Sequence, residues 1–315
     1  MMLFSIDHGN SAIKTPNFVF TSGLADYPVR PPVDTDVLEF GGKFWTISGQ
    51  RIAYMRDKTK DDRFFILTLF AIVKELQRTG TVPSVVEADL AVGLPPEHYE
   101  LRQRFASYFK RGSVRFTFNN MPVTLVIRQV FVYPQAYAAV VPQAHALRES
   151  PRTFIIDIGG FTTDVLLLRA TKPDMQVCRS LEMGVIPMSN DIIGRVSALH
   201  DIKIEDDHIV DVIQGRPTVL PDDVKETIFT TVRSCAAGIL DKLRELQVDL
   251  RATPAIFTGG GAVLFKSFLE ESPLVVKAGF IQDSKANAIG YSLLATAQLD
   301  RAFPQNGGDS GVSGS

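Results

Sequence analysis

Apolar positions along the chain follow two rhythms. Short runs of strand length stop at an aspartate and a glycine turn, while longer stretches carry apolar side chains at helical spacing. The first short run, Leu3-Phe4-Ser5-Ile6, stops at Asp7; after His8-Gly9-Asn10-Ser11 it resumes as Ala12-Ile13-Lys14. A second, Phe154-Ile155-Ile156, stops at Asp157; Ile158-Gly159-Gly160-Phe161-Thr162-Thr163-Asp164 follows, and Val165 to Leu168 returns. Each reads as a buried strand, a tight turn and a strand coming back beside the first. A third glycine turn, Gly259-Gly260-Gly261, follows apolar Ala255-Ile256-Phe257 and is expected to open a helix over 263–269. Helical spacing is clearest over 64–78, at Phe65, Leu69, Ile72, Val73 and Leu76. It is also clear over 221–247, where Val224, Ile228, Val232, Ala236, Ile239 and Leu243 form a seam.

Between these markers the pattern predicts a central strand over 85–95 and a helix from Pro96 or Glu97 to Phe109. Strands over 115–118 and 123–127 are joined by Asn119-Asn120, and Gly41-Gly42 turns a second hairpin. Pro134 is expected to start a compact small-residue helix running to Val141, with Gln135 in its first turn. Residues 287–295 look like its counterpart. Ser189 is expected to cap another helix, and Leu274-Val275-Val276 to form a strand. The polar stretch from Gly49 to Asp62 reads as part of a small peripheral subdomain, about residues 30–63. The organisation expected is therefore α/β with two domains, 1–150 and 151–303. Gly, Ser, Asn and Asp dominate residues 304–315, which predicts a disordered tail.

Composition narrows the classes without choosing among them. A chain of 315 residues is long enough for two cores. A net charge of −2 carries no global signal for nucleic acid, so direct nucleic-acid binding is not expected. Cys178 and Cys235 fit no metal spacing and read as buried thiols. Asp7 interrupts the first apolar run too early for a signal peptide, and no run approaches the ~18–20 apolar residues of a membrane span. A cytoplasmic location without membrane contact is the expectation.

The turns carry the candidate chemistry. Glycines let a phosphate approach the backbone, where amides and threonine hydroxyls can donate to its oxygens. A carboxylate at a strand end can hold Mg²⁺, usually through water. Lys14, on a returning strand, can neutralise β- or γ-phosphate charge. A glutamine amide such as that of Gln135 can orient a water for in-line attack on a γ-phosphate. The plainer alternatives are a glycine-turned hairpin, a solvated lysine and a capping glutamine. Against them stands the repetition of the device in both halves, which places a nucleotide between two related domains.

In order, these five elements resemble the actin superfamily: the Asp7 turn, the Pro134-Gln135-Ala136 helix start, the Asp157 turn, the Gly259 turn and the Asn287-Ala288-Gly290 helix. Within it, Ala91-Val92-Gly93-Leu94-Pro95 and Val132-Tyr133-Pro134-Gln135-Ala136 are similar to bacterial plasmid-segregation proteins of the ParM/StbA type. The resemblance implies an actin-like (ribonuclease H-like) two-domain ATPase fold with nucleotide in the interdomain cleft. It implies ATP as ligand, with GTP the alternative, and Mg²⁺ held through water by Asp7 and Asp157. Asn10, Ser11, Lys14, Gly159, Gly160, Phe161 and Thr162 would meet the phosphates. Gly259, Gly260 and Gly261 would face ribose and adenine, and Gln135 would position the attacking water. The function implied is slow ATP hydrolysis coupled to self-assembly into filaments, serving plasmid DNA segregation through a DNA-binding adaptor protein. The alternatives are a non-polymerising scaffold of the cell-division or pilus-assembly type and a small-molecule kinase. A kinase usually carries an acidic base where this chain has Gln135. His8 departs from the family pattern, with its side chain turned either to phosphate or into the sheet.

Overall fold

The computed structural model describes residues 2–32 and 36–302, so the expected tail at 304–315 lies outside the described residues. The first half holds strands β1 (Met2–His8), β2 (Ala12–Lys14), β3 (Val19–Thr21), β4 (Leu24–Tyr27), β5 (Leu38–Phe40), β6 (Lys43–Ile47), β7 (Val85–Leu94), β8 (Ser113–Phe118) and β9 (Met121–Pro134). Helices α1 (Arg63–Arg78) and α2 (Arg102–Phe109) accompany them, with a 3₁₀ turn over Pro96–Leu101. Short helices α3 (Tyr137–Val140) and α4 (Ala144–Leu147) lead into β10 (Arg152–Ile158), β11 (Thr163–Arg169) and β12 (Lys172–Leu181). The remainder is α5 (Val185–His200), α6 (Asp206–Ile213), α7 (Asp222–Glu245), β13 (Ala255–Thr258), α8 (Gly260–Glu270), β14 (Ala278–Phe280) and α9 (Ala286–Ala302).

Among the described residues the strands form two sheets, ordered β3-β2-β1-β7-β9-β8-β5-β6-β4 and β12-β11-β10-β13-β14. The first five strands of one repeat the plan of the other. β1 and β10 each pair antiparallel with the next strand in the chain, then parallel with β7 and β13. Parallel strands must be covered on both faces, and β7 and β10 are accordingly buried along almost their whole length. α1 covers the first sheet with a nearly all-apolar surface, burying Phe64 to Val73. α5, α7 and α8 cover the second.

The segment expected to form a peripheral subdomain supplies the outer edge of the first sheet. β5 pairs with β8, β6 with β5, and β4 with β6. Trp45, in β6, is half-buried and its Nε1 donates to the Phe40 carbonyl at 3.0 Å. His8 turns into the core. Its ring is fully buried against Phe64, Phe105 and Phe109. The Thr68 hydroxyl proton goes to the Phe64 carbonyl, so His8 Nε2–H donates to Thr68 Oγ1 at 2.8 Å. Burial pushes His8 down to about 3, so the ring is neutral at pH 7.

Four expectations are corrected. The helix from Pro134 to Val141 is broken: Pro134 ends β9, α3 is one turn long, and Pro142 lies in a 3₁₀ turn before α4. Ser189 does not cap α5. That helix begins at Val185 because the Val185 and Ile186 amides donate to the Gly159 and Gly160 carbonyls at 3.1 and 2.8 Å. The edge strand falls at 278–280 rather than at 274–276, where it pairs parallel with β13. The cysteines are free and half-buried rather than buried.

The chain crosses between the layers through α3 and α9. α3 lies on the second sheet, with Ala139 and Val140 beside Ile155, Leu166 and Leu168. α9 returns to β1 and β7 of the first, with Tyr291 and Ala295 beside Ala91. The two helices touch backbone to backbone at Gly290, where an added Cβ would sit 1.8 Å from the Ala138 carbonyl oxygen. Gly290→Ala should therefore lower stability by about 1–3 kcal/mol by forcing the helices apart. Gly194→Ala, in exposed α5 backbone with nothing within 4 Å, should instead raise it by about 0.5–1 kcal/mol. Denaturant unfolding of both variants checks the pair.

Candidate active site

The β1–β2 and β10–β11 turns face one another across a cavity of about 360 Å³. Strand register explains what they present. Asp7 lies opposite Lys14 and Asp157 opposite Asp164, and directly opposed residues share a face. The first hairpin thus offers an opposite-charge pair, with Lys14 Nζ 3.5 Å from Asp7 Oδ2. The second sets two buried carboxylates side by side, an arrangement that costs free energy unless a proton or a cation relieves it. Burial, then the neighbouring Asp157 charge, pushes Asp164 up to about 7, opposed by hydrogen bonds from Ser180 and Thr162 and by the Lys58 charge. Thr162 Oγ1 donates to Asp164 Oδ2 at 3.2 Å, while Oδ1 is buried without a partner. Asp157 is also raised, chiefly by burial; a hydrogen bond from Asn287 opposes the shift.

Gln135 precedes the helix it was expected to begin. Its amide donates to the Leu94 carbonyl at 2.8 Å, and its carbonyl accepts from Tyr137 N–H at 2.6 Å. Ala136, between them, has φ 63° and ψ −53°. This is a γ-turn of the rare, strained hand. It aims the Gln135 side chain at the cleft, where Nε2 donates to Asp7 Oδ1 at 2.9 Å. Asn287 holds the turn from the other side. Its Oδ1 accepts from Ala136 N–H at 3.1 Å and its Nδ2 donates to Asp157 Oδ2 at 2.9 Å.

The remaining expected residues divide. Asn10, Ser11, Lys14, Gly159, Gly160, Phe161, Thr162 and Gly259 line the cavity; Gly260 and Gly261 do not. Asn10 Oδ1 is buried without a partner. A Cβ on Gly160 would come within 3.0 Å of Ser11 Cβ, so the two turns already touch. Gly259 has φ 88°, and a Cβ there would lie 2.2 Å from Asp157 Oδ1. Gly261 serves packing, since its Cα abuts Ile158 and lets α8 approach β10.

Sequence reasoning missed two groups. Asn287 marks the second small-residue helix of the resemblance but carries no site role there, although an amide among alanines at a helix start is a visible irregularity. The stretch Tyr54–Thr59 lines the cavity rather than a periphery. Within it Lys58 Nζ donates to the His8 carbonyl. Burial lowers its ammonium to about 8, against the attraction of Asp7 and Asp164. Asp57-Lys58-Thr59 sits in a mixed-charge run without periodicity, and no pattern singles it out.

The donor set fits an anion between glycine turns with a cation beside it. Among the described residues no three His, Cys, Asp or Glu side chains gather closely enough to bind a metal by themselves. A hard cation here would take one or two carboxylates and keep much of its water, as Mg²⁺ does. Among the described residues no helix is long and apolar enough to cross a membrane.

Comparison with known proteins agrees with this geometry. Residues 155–271 match the family described as archaeal actin homologue MreB-like, C-terminal. No curated protein matches the sequence. Among solved structures, the archaeal actin homologue Ta0583 in complex with ADP is 19% identical, with a TM-score of 0.73 over 94% of this chain and 100% of that one. A ParM from a 15-stranded Clostridium botulinum filament is 16% identical, with a TM-score of 0.73 over 94% and 100%. Bacillus thuringiensis ParM with ATP is 13% identical, with a TM-score of 0.67 over 95% and 99%. The chain has the two-layered fold of the actin superfamily, and its second half matches the C-terminal domain of archaeal MreB-like actin homologues.

Proposed function

We propose that this chain binds Mg²⁺–ATP in the cleft, hydrolyses it slowly and assembles with copies of itself into filaments. The observation that carries the reading is the facing pair of hairpins, Asp7/Lys14 and Asp157/Asp164, with the Gln135 amide fixed on Asp7. The amides of the Gly9 and Gly159 turns, with Asn10, Ser11, Phe161 and Thr162, would receive the phosphates. Lys14 would offset their charge. Gly259 would admit the nucleoside, with Gly260 and Gly261 behind it. Asp7 and Asp157 would hold Mg²⁺ through water; when bound, the ion neutralises charge on the phosphate oxygens. Gln135, anchored through Nε2, has an amide oxygen with which to orient a water in line with the terminal phosphorus. In this reading residues 1–150 and 151–303 act as two lobes of one ATPase.

ADP and ATP named in the complexes of similar structures support adenine over guanine, and the filament of a similar ParM supports self-assembly. Plasmid segregation through a DNA-binding adaptor, in the cytoplasm, is the biological setting we infer. An amide rather than a carboxylate at Gln135 speaks against a kinase, which needs a base for its acceptor hydroxyl.

Right-angle light scattering with Mg²⁺–ATP, followed by pelleting and phosphate release on the same sample, is the deciding assay. Scattering should rise first and phosphate follow. Phosphate release without scattering at high protein concentration would leave a soluble ATPase. Asp157→Ala should abolish Mg²⁺-dependent hydrolysis. Gln135→Ala should slow turnover on the order of 100-fold with a far smaller loss of ATP affinity; equal losses would count against water positioning.

The opposed carboxylates give a second, ligand-free prediction. The folded chain holds the Asp164 proton up to about pH 7, against 3.8 for the ordinary side chain. Stability from Asp164 is thus fully present below pH 3.8 and is lost as pH rises through about 7. Asp164→Asn removes that loss. The variant should match wild type near pH 4 and exceed it at pH 8, by at most about 4 kcal/mol. Chemical denaturation at the two pH values without nucleotide or Mg²⁺ measures the gap, and a constant gap would contradict the raised Asp164 that burial and the Asp157 charge produce.

A further inference from the structure

Lys58 belongs to none of the motifs that define the two hairpins, yet its ammonium group stands between them. It reaches the cleft from the irregular stretch between β6 and α1, over the β1 turn. An ammonium has three donors. One goes to the His8 carbonyl, a neutral acceptor at the edge of the first glycine turn. Among the described residues no carboxylate oxygen lies within the 4.0 Å of an ion pair with it. The Phe64 ring lies 5.5 Å from Nζ. Two donors on a half-buried cation are therefore without a protein acceptor, in a cavity also lined by the Gly159–Thr162 turn.

The backbone around Lys58 is tied to both sides of the cleft. Asp57 accepts from Arg104 Nη2 at 2.6 Å and from Thr59 Oγ1 at 2.6 Å, anchoring the segment on the first layer. Tyr54 packs on Phe161 of the second hairpin, ring centroids 4.5 Å apart, and the Arg51 guanidinium lies 5.9 Å from the same ring. The segment is thus a strap along the cavity, with Lys58 at the end anchored on the first layer.

We propose that Lys58 is a phosphate-contacting residue that donates its two unused N–H groups to the terminal phosphate of a bound nucleoside triphosphate. The proposal rests on the reading of the cleft as an ATP site and adds to it a cation from outside both glycine turns. Position selects the terminal phosphate. Lys58 donates to the His8 carbonyl beside Asp7, whose side chain Gln135 holds, and is attracted by Asp7 and Asp164 of the two facing hairpins; among the described residues no hydrogen bond ties it to the Gly259 turn, which would admit the nucleoside. The strap then reports the length of the phosphate chain. A triphosphate engages Lys58 and a diphosphate leaves it on the His8 carbonyl.

The test is calorimetric binding of ADP and of a non-hydrolysable ATP analogue to the full chain and to Lys58→Met, both with Mg²⁺. Loss of a charge-assisted contact predicts about 10-fold or more weaker analogue binding, with ADP affinity changed less than about 3-fold. Unchanged analogue affinity in Lys58→Met, or an equal loss for both ligands, would overturn the proposal while leaving the ATP site standing. Failure of the wild-type chain to bind either nucleotide would overturn the site itself. Should Lys58→Met fold poorly, the wild-type chain decides. Acetylation of Lys58, followed by mass spectrometry against exposed Lys110, should be slowed by the analogue more than by ADP. Equal rates with the two ligands would reject the contact.

Discussion

One hydrogen-bonded chain connects the two aspartates on which the cleft depends. Asp7 accepts from the Gln135 amide, the backbone turns tightly through Ala136, Ala136 N–H donates to Asn287, and Asn287 donates to Asp157. Its members come from β1, the end of β9, α9 and β10, so both sheets are represented. Each link is buried, where an unmade hydrogen bond costs about 1–3 kcal/mol. The strained backbone at Ala136 is held because both flanking residues are fixed, Gln135 by Leu94 and Tyr137 by the turn itself. Removing Asn287 strands the Ala136 amide and an Asp157 oxygen, one on each layer, and removing the Gln135 amide strands Asp7 Oδ1.

Electrostatics distinguishes two hairpins that topology makes equivalent. The position opposite the strand-end aspartate is Lys14 in one and Asp164 in the other. The first hairpin is balanced within itself. The second carries an excess of negative charge that burial amplifies, and Asp164 Oδ1 has no donor. Two hairpins of one plan thus make an asymmetric site, with the uncompensated carboxylate on the second wall. Lys58 adds positive charge at the seam between them.

Much of this was legible in the sequence because the signals are local. An apolar run stopped by aspartate and glycine fixes a strand end, and it does so twice, at Asp7 and Asp157. The long seams of α1 and α7 follow from side-chain spacing alone. What was not legible depends on distant partners. Ser189 looks like a cap, but α5 starts four residues earlier because the carbonyls of the Gly159–Gly160 turn serve as its acceptors. Gln135 looks helical, yet its turn is imposed by Asn287, more than 150 positions later. Lys58 has no periodicity around it, since its segment is shaped by Arg104, Phe161 and the His8 carbonyl rather than by its neighbours.

The same geometry constrains how the two layers can move. α3 lies on the second sheet and α9 on the first, and they meet at Gly290 without intervening side chains. Backbone contact of this kind tolerates rotation about the contact far better than separation, because separation opens a void that nothing nearby can fill. Asn287 lies on the same helix as Gly290, so its hydrogen bonds to Ala136 and Asp157 stand beside that contact, and the aspartate chain and the backbone contact hold the two layers together at one place.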